Sequence, residues 1–272
     1  MSAKHAVVNG KLVNSSKATM AIVDRELQYG FGVYETLKVS SQKLIYPSEH
    51  VKRLLYSAQG IDLRHPYQEQ ELLSWLDQLI AIDALEHATI RILLLGGVKA
   101  RLFITSSPPL TYPKSFYEEG IKAISYHGER FLPQYKTCSL LMNYLALREA
   151  GSHGAFEALL VDSNQMVLEG TRSNVFACQG NRIYTAADEK VLSGVTRQKI
   201  LLAAQQLGYE IIMEPPLLKD LHSGRFEELF ISSTSMAAMP VSRFDGRIFS
   251  PPFVISGAIC ALIQSWEAQT LH

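Results

Sequence analysis

Residues 155–185 read AFEALLVDSNQMVLEGTRSNVFACQGNRIYT. Apolar and polar residues alternate through much of this stretch, the period of half-buried strands, and turn residues such as Gly170 and Gly180-Asn181 interrupt it. The pattern predicts a β-meander. One strand ends on Glu169-Gly170-Thr171-Arg172-Ser173-Asn174, a carboxylate followed by glycine and polar residues. Glu169 in such a place is either a solvated turn residue or a group held in a pocket to accept a proton-bearing heterocycle, and spacing alone leaves both open.

Downstream, a helix is expected over VTRQKILLAAQQLGY, directly after Gly194, then a strand EELFIS and a final helix over about 254–269. Two features there suit an anion. The unpaired N–H groups and dipole of the helix beginning at Val195-Thr196 favour a phosphate, unless Thr196 merely caps it. The run Ser232-Ser233-Thr234-Ser235 lets backbone N–H groups approach a ligand, or is a simple turn.

Upstream of the meander lie a strand, GIKAISY, and a helix around NYLALREAG. Pro108, Pro109 and Pro113 within PPLTYPKS mark a linker, which places a boundary near residue 115, between domains 1–115 and 116–272. The first of these opens with HAVVNGKLV, a hairpin whose Asn9-Gly10 pair suits a type I′ turn. Strands follow in VYETLKVS and KLIYP. A helix comes next, with Ser48 as N-cap and Gly60 at C′, then a helical pattern over 67–83 and two buried strands, ATIRILLLGG and ARLFITSS.

The 272 residues are 47% hydrophobic and 19% charged, and carry 26 basic against 26 acidic side chains. Zero net charge leaves no footprint for nucleic acid or an anionic membrane. Cys138, Cys178 and Cys260 are an odd number, far apart and without Cys-x-x-Cys spacing, so neither a disulfide framework nor a metal site is expected. No apolar run approaches the roughly 20 residues of a membrane span, and no leader pattern opens the chain. A cytoplasmic protein is expected.

Six blocks in order resemble the class IV aminotransferase family, which includes branched-chain and D-amino-acid transaminases and 4-amino-4-deoxychorismate lyase. They are residues 24–39, His50-x-x-Arg53-Leu54, Lys136 with Asn143, Glu169-Gly170-x-x-Ser173-Asn174-Val175-Phe176, Leu192-Ser193-Gly194-Val195-Thr196-Arg197, and residues 232–241. The resemblance implies an α/β (α+β) fold of D-amino-acid-aminotransferase type, with a smaller N-terminal α/β domain and a larger, β-rich C-terminal domain. It also implies a pyridoxal 5′-phosphate cofactor in the cleft between the domains and a homodimer. Lys136 would carry the cofactor as a Schiff base and act as base at the substrate α-carbon. Glu169 would keep the pyridine nitrogen protonated. Arg53, Val195-Thr196 and Ser233-Thr234 would hold the phosphate, with Ser173, Asn174 and Arg197 in support. Tyr34 would face the substrate, or else be a core tyrosine. Asp24 and Arg25 are expected to form a structural pair.

On the substrate side the chain departs from the transaminase patterns. Thr89-Ile90-Arg91-Ile92 stands where branched-chain enzymes show Tyr-x-Arg-Pro. The short loop Gly96–Arg101 lacks the histidine of the D-amino-acid carboxylate trap, and Ala237 replaces a frequent glutamate. The compact length and Tyr34-Glu35-Thr36 look more like the lyase, which forms p-aminobenzoate and pyruvate, so that activity is the first expectation. Lys99 and Arg101 are candidate partners of its carboxylates, and Arg91 is a further substrate residue. The alternatives are a D-amino-acid or branched-chain transaminase, and an inactive binding protein on this fold.

Overall fold

A computed structural model describes residues 4–270. These fall into two compact units, one of residues 4–110 with 135–139 and Thr270, the other of 111–134 and 140–269. The chain thus leaves the first unit after residue 110 and returns to it for five residues that include Lys136, whereas the sequence reading drew one contiguous boundary near 115.

The first unit contains β1 (His5–Val8), β2 (Lys11–Asn14), α1 (Arg25–Gln28), β3 (Gly32–Ser40), β4 (Lys43–Leu44), α2 (Pro47–Gly60), α3 (Glu69–Asp83), β5 (Ala88–Leu95) and β6 (Arg101–Ser107). Its sheet runs β2-β1-β6-β5-β3-β4, antiparallel throughout. Asn9 and Gly10 both take positive φ, 50° and 79°, as a type I′ turn requires. Leu54, Leu72, Leu76 and Leu79 of α2 and α3 pack on Val33, Leu37, Ile90 and Ile92 of the sheet. Helix α2 begins one residue before the expected cap, with Pro47 in its first turn. Ser48 is already helical and donates instead to Glu69 Oε1 at 2.7 Å, and Gly60 is the last helical residue rather than the one after it. Gln68 and Glu71 form a reciprocal capping box at the start of α3.

The second unit contains α4 (Ser115–Glu118), β7 (Ile121–His127), α5 (Leu141–Ser152), β8 (Glu157–Val161), β9 (Val167–Gly170), β10 (Asn174–Gln179), β11 (Arg182–Tyr184), α6 (Val195–Gln206), β12 (Glu210–Ile212), α7 (Leu218–Ser223), β13 (Glu228–Ser233), β14 (Ala237–Phe244), β15 (Arg247–Ile248) and α8 (Val254–Thr270). The expected meander is β8 to β11, each strand antiparallel to the next. Pairing continues from β10 through β13, β14 and β7 back to β8, so six strands close on themselves, with β11 and β12 as an extension. Leu159, Val175, Ala177, Leu229, Ile231, Met239 and Val241 belong to one buried cluster, while Phe176 and Phe230 on the opposite faces of their strands meet α6 and α8. Those two rings stack 4.8 Å apart, in register across β10 and β13.

The ring is sealed by a single pair of residues, Glu169 of β9 opposite Asn174 of β10. Directly opposed residues share a face of a sheet. The row therefore runs from Glu169 to Asn174 to Ser232 to Ala238 across four strands. A bulge brings Glu169 into it, because Leu160 opposes Glu169 while Val161 opposes Val167, leaving Leu168 as the extra residue. No described helix is long and apolar enough to cross a membrane.

Truncating Phe230 removes one ring of a fully buried stack. A Phe230→Ala variant is expected to lose about 3–5 kcal/mol of unfolding free energy, measured by urea denaturation of the second unit's signal.

Candidate active site

In the first unit, residues 135–139 run beside the start of β3. The Tyr34 N–H donates to the Lys136 carbonyl at 3.0 Å, and the Cys138 N–H to the Gly32 carbonyl at 2.9 Å, with Thr137 opposite Val33. The Lys136 N–H donates to Ser57 Oγ of α2 at 3.0 Å, so its backbone is fixed on both sides. Lys136 Nζ lies 4.5 Å from the centre of the Tyr34 ring, and the Arg91 guanidinium lies at the same distance from that ring. Arg91 opposes Thr36, so Tyr34 and Arg91 are diagonal neighbours on one sheet face. Tyr34 is therefore not a core tyrosine. It carries two cations on a partly exposed ring.

Alternation along β3 sends Glu35 to the other face, where it is fully buried. Arg53 of α2 grips it with two bonds, Nε to Oε1 at 2.6 Å and Nη2 to Oε2 at 2.8 Å, and His50 Nδ1 lies 2.8 Å from Oε2. Burial alone would raise the Glu35 carboxyl. The charge of Arg53 and the bonds from His50 and Arg53 outweigh it and hold the group well below the usual carboxylate range. Burial pushes His50 down despite the pull of Glu35, so the imidazole is neutral and its Nδ1–H donates to the carboxylate. Arg53, expected at a phosphate, thus has its guanidinium oriented by Glu35.

Asp24 does not pair with Arg25. Its carboxylate takes both terminal nitrogens of Arg101, while Arg25 lies over the Tyr29 ring at 5.3 Å. The reason is reach, since Asp24 immediately precedes the short helix α1 and β6 delivers Arg101 to it from across the sheet. Of the two cations expected at substrate carboxylates, Arg101 is engaged in this way and Lys99 is exposed on its loop, while Arg91, the further substrate residue, lies beside Tyr34.

In the second unit, Glu169 is buried at the seal of the strand ring and is not a solvated turn residue. Its Oε1 accepts from Arg130 Nε at 2.8 Å, and its Oε2 from the Leu192 N–H at 3.2 Å. Arg130 also donates to the Pro133 carbonyl, which anchors the guanidinium. Asn174 Nδ2 donates to the Leu192 carbonyl at 2.8 Å. Leu192 thus ties the loop before α6 to both ends of the sealing pair. Gly194 is the N-cap of α6, and a β-carbon there would fall 2.5 Å from Asn174 Oδ1. Thr196 lies inside the first turn and caps nothing, so the N–H groups of that turn are available to an anion. Arg197 is fully buried, bonded to Asp188 and to the Ala186 carbonyl, and braces the turn from behind. Ser173 is buried, whereas Ser233 and Thr234 at the end of β13 are partly exposed. The Ser232 hydroxyl, opposite Asn174, is buried without a hydrogen-bond partner. The free N–H groups at the start of α6 and the orphaned buried hydroxyl of Ser232 are chemistry that fits a phosphate.

Sequence reasoning missed Arg130, Glu35 as an internal anchor, and Ser57. Glu35 had a signal, since an acidic residue between Val33 and Leu37 on the buried parity of a strand needs a partner. Arg130 had none, because its role depends on a contact 39 positions away.

The family described as amino-transferase class IV matches residues 32–244. The D-alanine aminotransferase of Bacillus licheniformis is 32% identical over 253 residues, covering 88% of this chain and 88% of that protein. A putative branched-chain-amino-acid aminotransferase of Methanocaldococcus jannaschii is 29% identical over 260 residues, covering 89% and 88%. The solved branched-chain aminotransferase of Thermoproteus uzoniensis, with norvaline, has a TM-score of 0.90 at 23% identity, over 97% of this chain and 95% of that one. A hypothetical aminotransferase from Mycobacterium tuberculosis, in a PLP-bound form, gives 0.82 at 22%, over 96% and 99%. The chain belongs to the class IV aminotransferase family.

The Glu35 carboxyl is depressed in the fold, so it contributes stability at neutral pH that is lost as pH falls below its ordinary 4.5. His50, also depressed, loses its contribution as pH falls below 6.5. Unfolding midpoints should therefore begin to fall as pH drops below about 6.5 and keep falling below 4.5. Glu35→Gln should flatten the profile below pH 4.5 and cost about 3 kcal/mol at neutral pH by removing the charge that the Arg53 fork grips, as read from urea titrations across pH.

Proposed function

We propose that this protein is a pyridoxal-phosphate-dependent aminotransferase that exchanges the amino group of an amino acid for the oxygen of a 2-oxo acid. The observation that carries this reading is the match to D-alanine and branched-chain aminotransferases along 88–89% of the chain. The first α6 turn at Val195-Thr196, with Ser233 and Thr234, is assigned to the cofactor phosphate, and Arg53 adds a cation already oriented by Glu35. Glu169, with Arg130 and Leu192 occupying the outer sides of its carboxylate, is assigned to keep the ring nitrogen protonated. Ser173 and Asn174 support that arrangement.

When bound, pyridoxal phosphate supplies an electron sink for the electron pair left when the substrate α-carbon loses its proton. Lys136 is assigned to hold the cofactor through Nζ, yield it to the incoming amine, and then take and return the α-proton. The Tyr34 ring holds the Lys136 ammonium and the Arg91 guanidinium side by side, each 4.5 Å from its centre, which keeps Nζ and the substrate-side cation close together. Arg91 is assigned to the substrate carboxylate, because Asp24 already answers Arg101.

The relatives named above favour a transaminase over the lyase expected from the sequence. Part of its resemblance rested on Tyr34-Glu35-Thr36, and Glu35 of that stretch is an internal partner of Arg53 rather than a pocket residue. A homodimer is proposed on the exposed apolar side chains Ile22, Val23, Tyr29 and Val98 of the first unit.

Purified protein is expected to show a visible cofactor band that Lys136→Ala lacks, and to form pyruvate from D-alanine or a branched-chain 2-oxo acid from its amino acid when a 2-oxo acid acceptor is supplied. Turnover of aminodeoxychorismate to p-aminobenzoate without amino-group exchange would reassign the protein as the lyase. No band and no turnover would leave a binding protein. Arg91→Ala should lower kcat/KM for the amino acid roughly 10- to 100-fold, mainly through KM. Light scattering at micromolar concentration is expected to give twice the chain mass.

A further inference from the structure

Glu157, the first residue of β8, is completely buried, and nothing in the reading above uses it. Its Oε1 accepts from the Ala158 N–H at 3.1 Å, the Thr171 N–H at 3.2 Å and the Thr171 hydroxyl. Its Oε2 accepts from Ser173 Oγ at 3.0 Å, and the nearest cation, Arg172 Nε, stays 3.7 Å away. Two backbone N–H groups and two hydroxyls thus converge on the carboxyl group. Burial nonetheless pushes this carboxyl up, against the pull of Thr171, Arg172 and Ser173. A buried charge without a close ion pair is costly, and the same space could be filled by an apolar side chain. What the carboxylate gains is the turn Gly170–Ser173. It fills that turn from inside, where the Gly170 N–H bonds the Ser173 carbonyl at 2.7 Å and a β-carbon on Gly170 would meet the Glu157 side chain at 3.2 Å. Asn143 Nδ2 of α5 holds the Thr171 carbonyl from the other side at 2.6 Å. The turn joins the two residues that seal the strand ring, Glu169 before it and Asn174 after it.

We propose that Glu157 is a positioning residue: by holding the Thr171–Ser173 turn on its carboxylate it sets the placement of Glu169, and so the protonation of the cofactor ring nitrogen. The proposal rests on the cofactor role given to Glu169 above. It predicts that Glu157 acts through Glu169 rather than through stability at large.

The test is a double-mutant cycle on the holoenzyme with Glu157→Gln and Glu169→Gln, reading kcat, KM for the amino acid and the cofactor absorbance. Glu157→Gln alone is expected to lower kcat roughly tenfold, with KM within about twofold and a shifted but retained cofactor band. In the Glu169→Gln background the same change is expected to lower kcat by less than about twofold. An equal fold-loss in both backgrounds, or no loss in either, overturns the proposal. Should Glu157→Gln fail to fold, Thr171→Val removes one donor and is read in the same cycle, with the same outcomes deciding. A Glu169→Gln enzyme as active as the parent would show that the role of Glu169 itself is wrong, a failure distinct from additivity in the cycle.

Discussion

The second unit hangs on one antiparallel pair, Glu169 opposite Asn174, which turns six strands into a closed ring. Closed sheets have no free edge, and the strands on either side of the seal are held by longer ladders, so this short junction is where geometry can be adjusted most. The chain places polar groups there. Glu169, Asn174 and Ser232 form one row, and the loop before α6 is tied to its first two members through the N–H and carbonyl of Leu192. A single residue of that loop, bonded to both sides of the seal, couples the first turn of α6 to the carboxylate of Glu169.

Three of the carboxylates buried among the described residues show three ways of offsetting desolvation. Glu35 has a bidentate guanidinium and an imidazole N–H, and is strongly acidic as a result. Glu169 has one guanidinium contact and one backbone N–H. Glu157 has only neutral donors within hydrogen-bond distance and is displaced the other way. The contrast between Glu35 and Glu157 follows the strength of charge-assisted against neutral hydrogen bonds. It also separates tasks, since the most completely paired group anchors β3 to α2 while the less paired ones border the sealing turn.

Much of this was legible in the sequence where local rules decide. Asn9-Gly10 announces its turn, the apolar period of residues 67–83 announces α3, and the alternation of 155–185 announces the meander. The ordered motifs around Arg53, Lys136, Glu169 and Val195 gave the family. What was not legible depends on partners distant along the chain. Closure of the ring requires β14 to lie parallel to β7 across more than a hundred residues. The bulge at Leu168 moves Glu169 off the face that strict alternation gives it. Arg101 looked free in its loop because Asp24, 77 positions earlier, carries no local mark of the pairing. Ser48 looked like a cap because the rule weighs residue type, whereas Pro47 fixes the first turn one position sooner.

The excursion that returns residues 135–139 to the first unit has a consequence for the order of events as the chain is made. Until Cys138 has left the ribosome, the Gly32 carbonyl and the Tyr34 N–H at the start of β3 lack the strand that will cover them. An uncovered strand segment is a template for pairing with another chain. The nascent first unit must therefore wait for the linker and β7 to be synthesised before its own edge is complete, so a fragment ending at residue 110 lacks both Lys136 and the strand that protects β3.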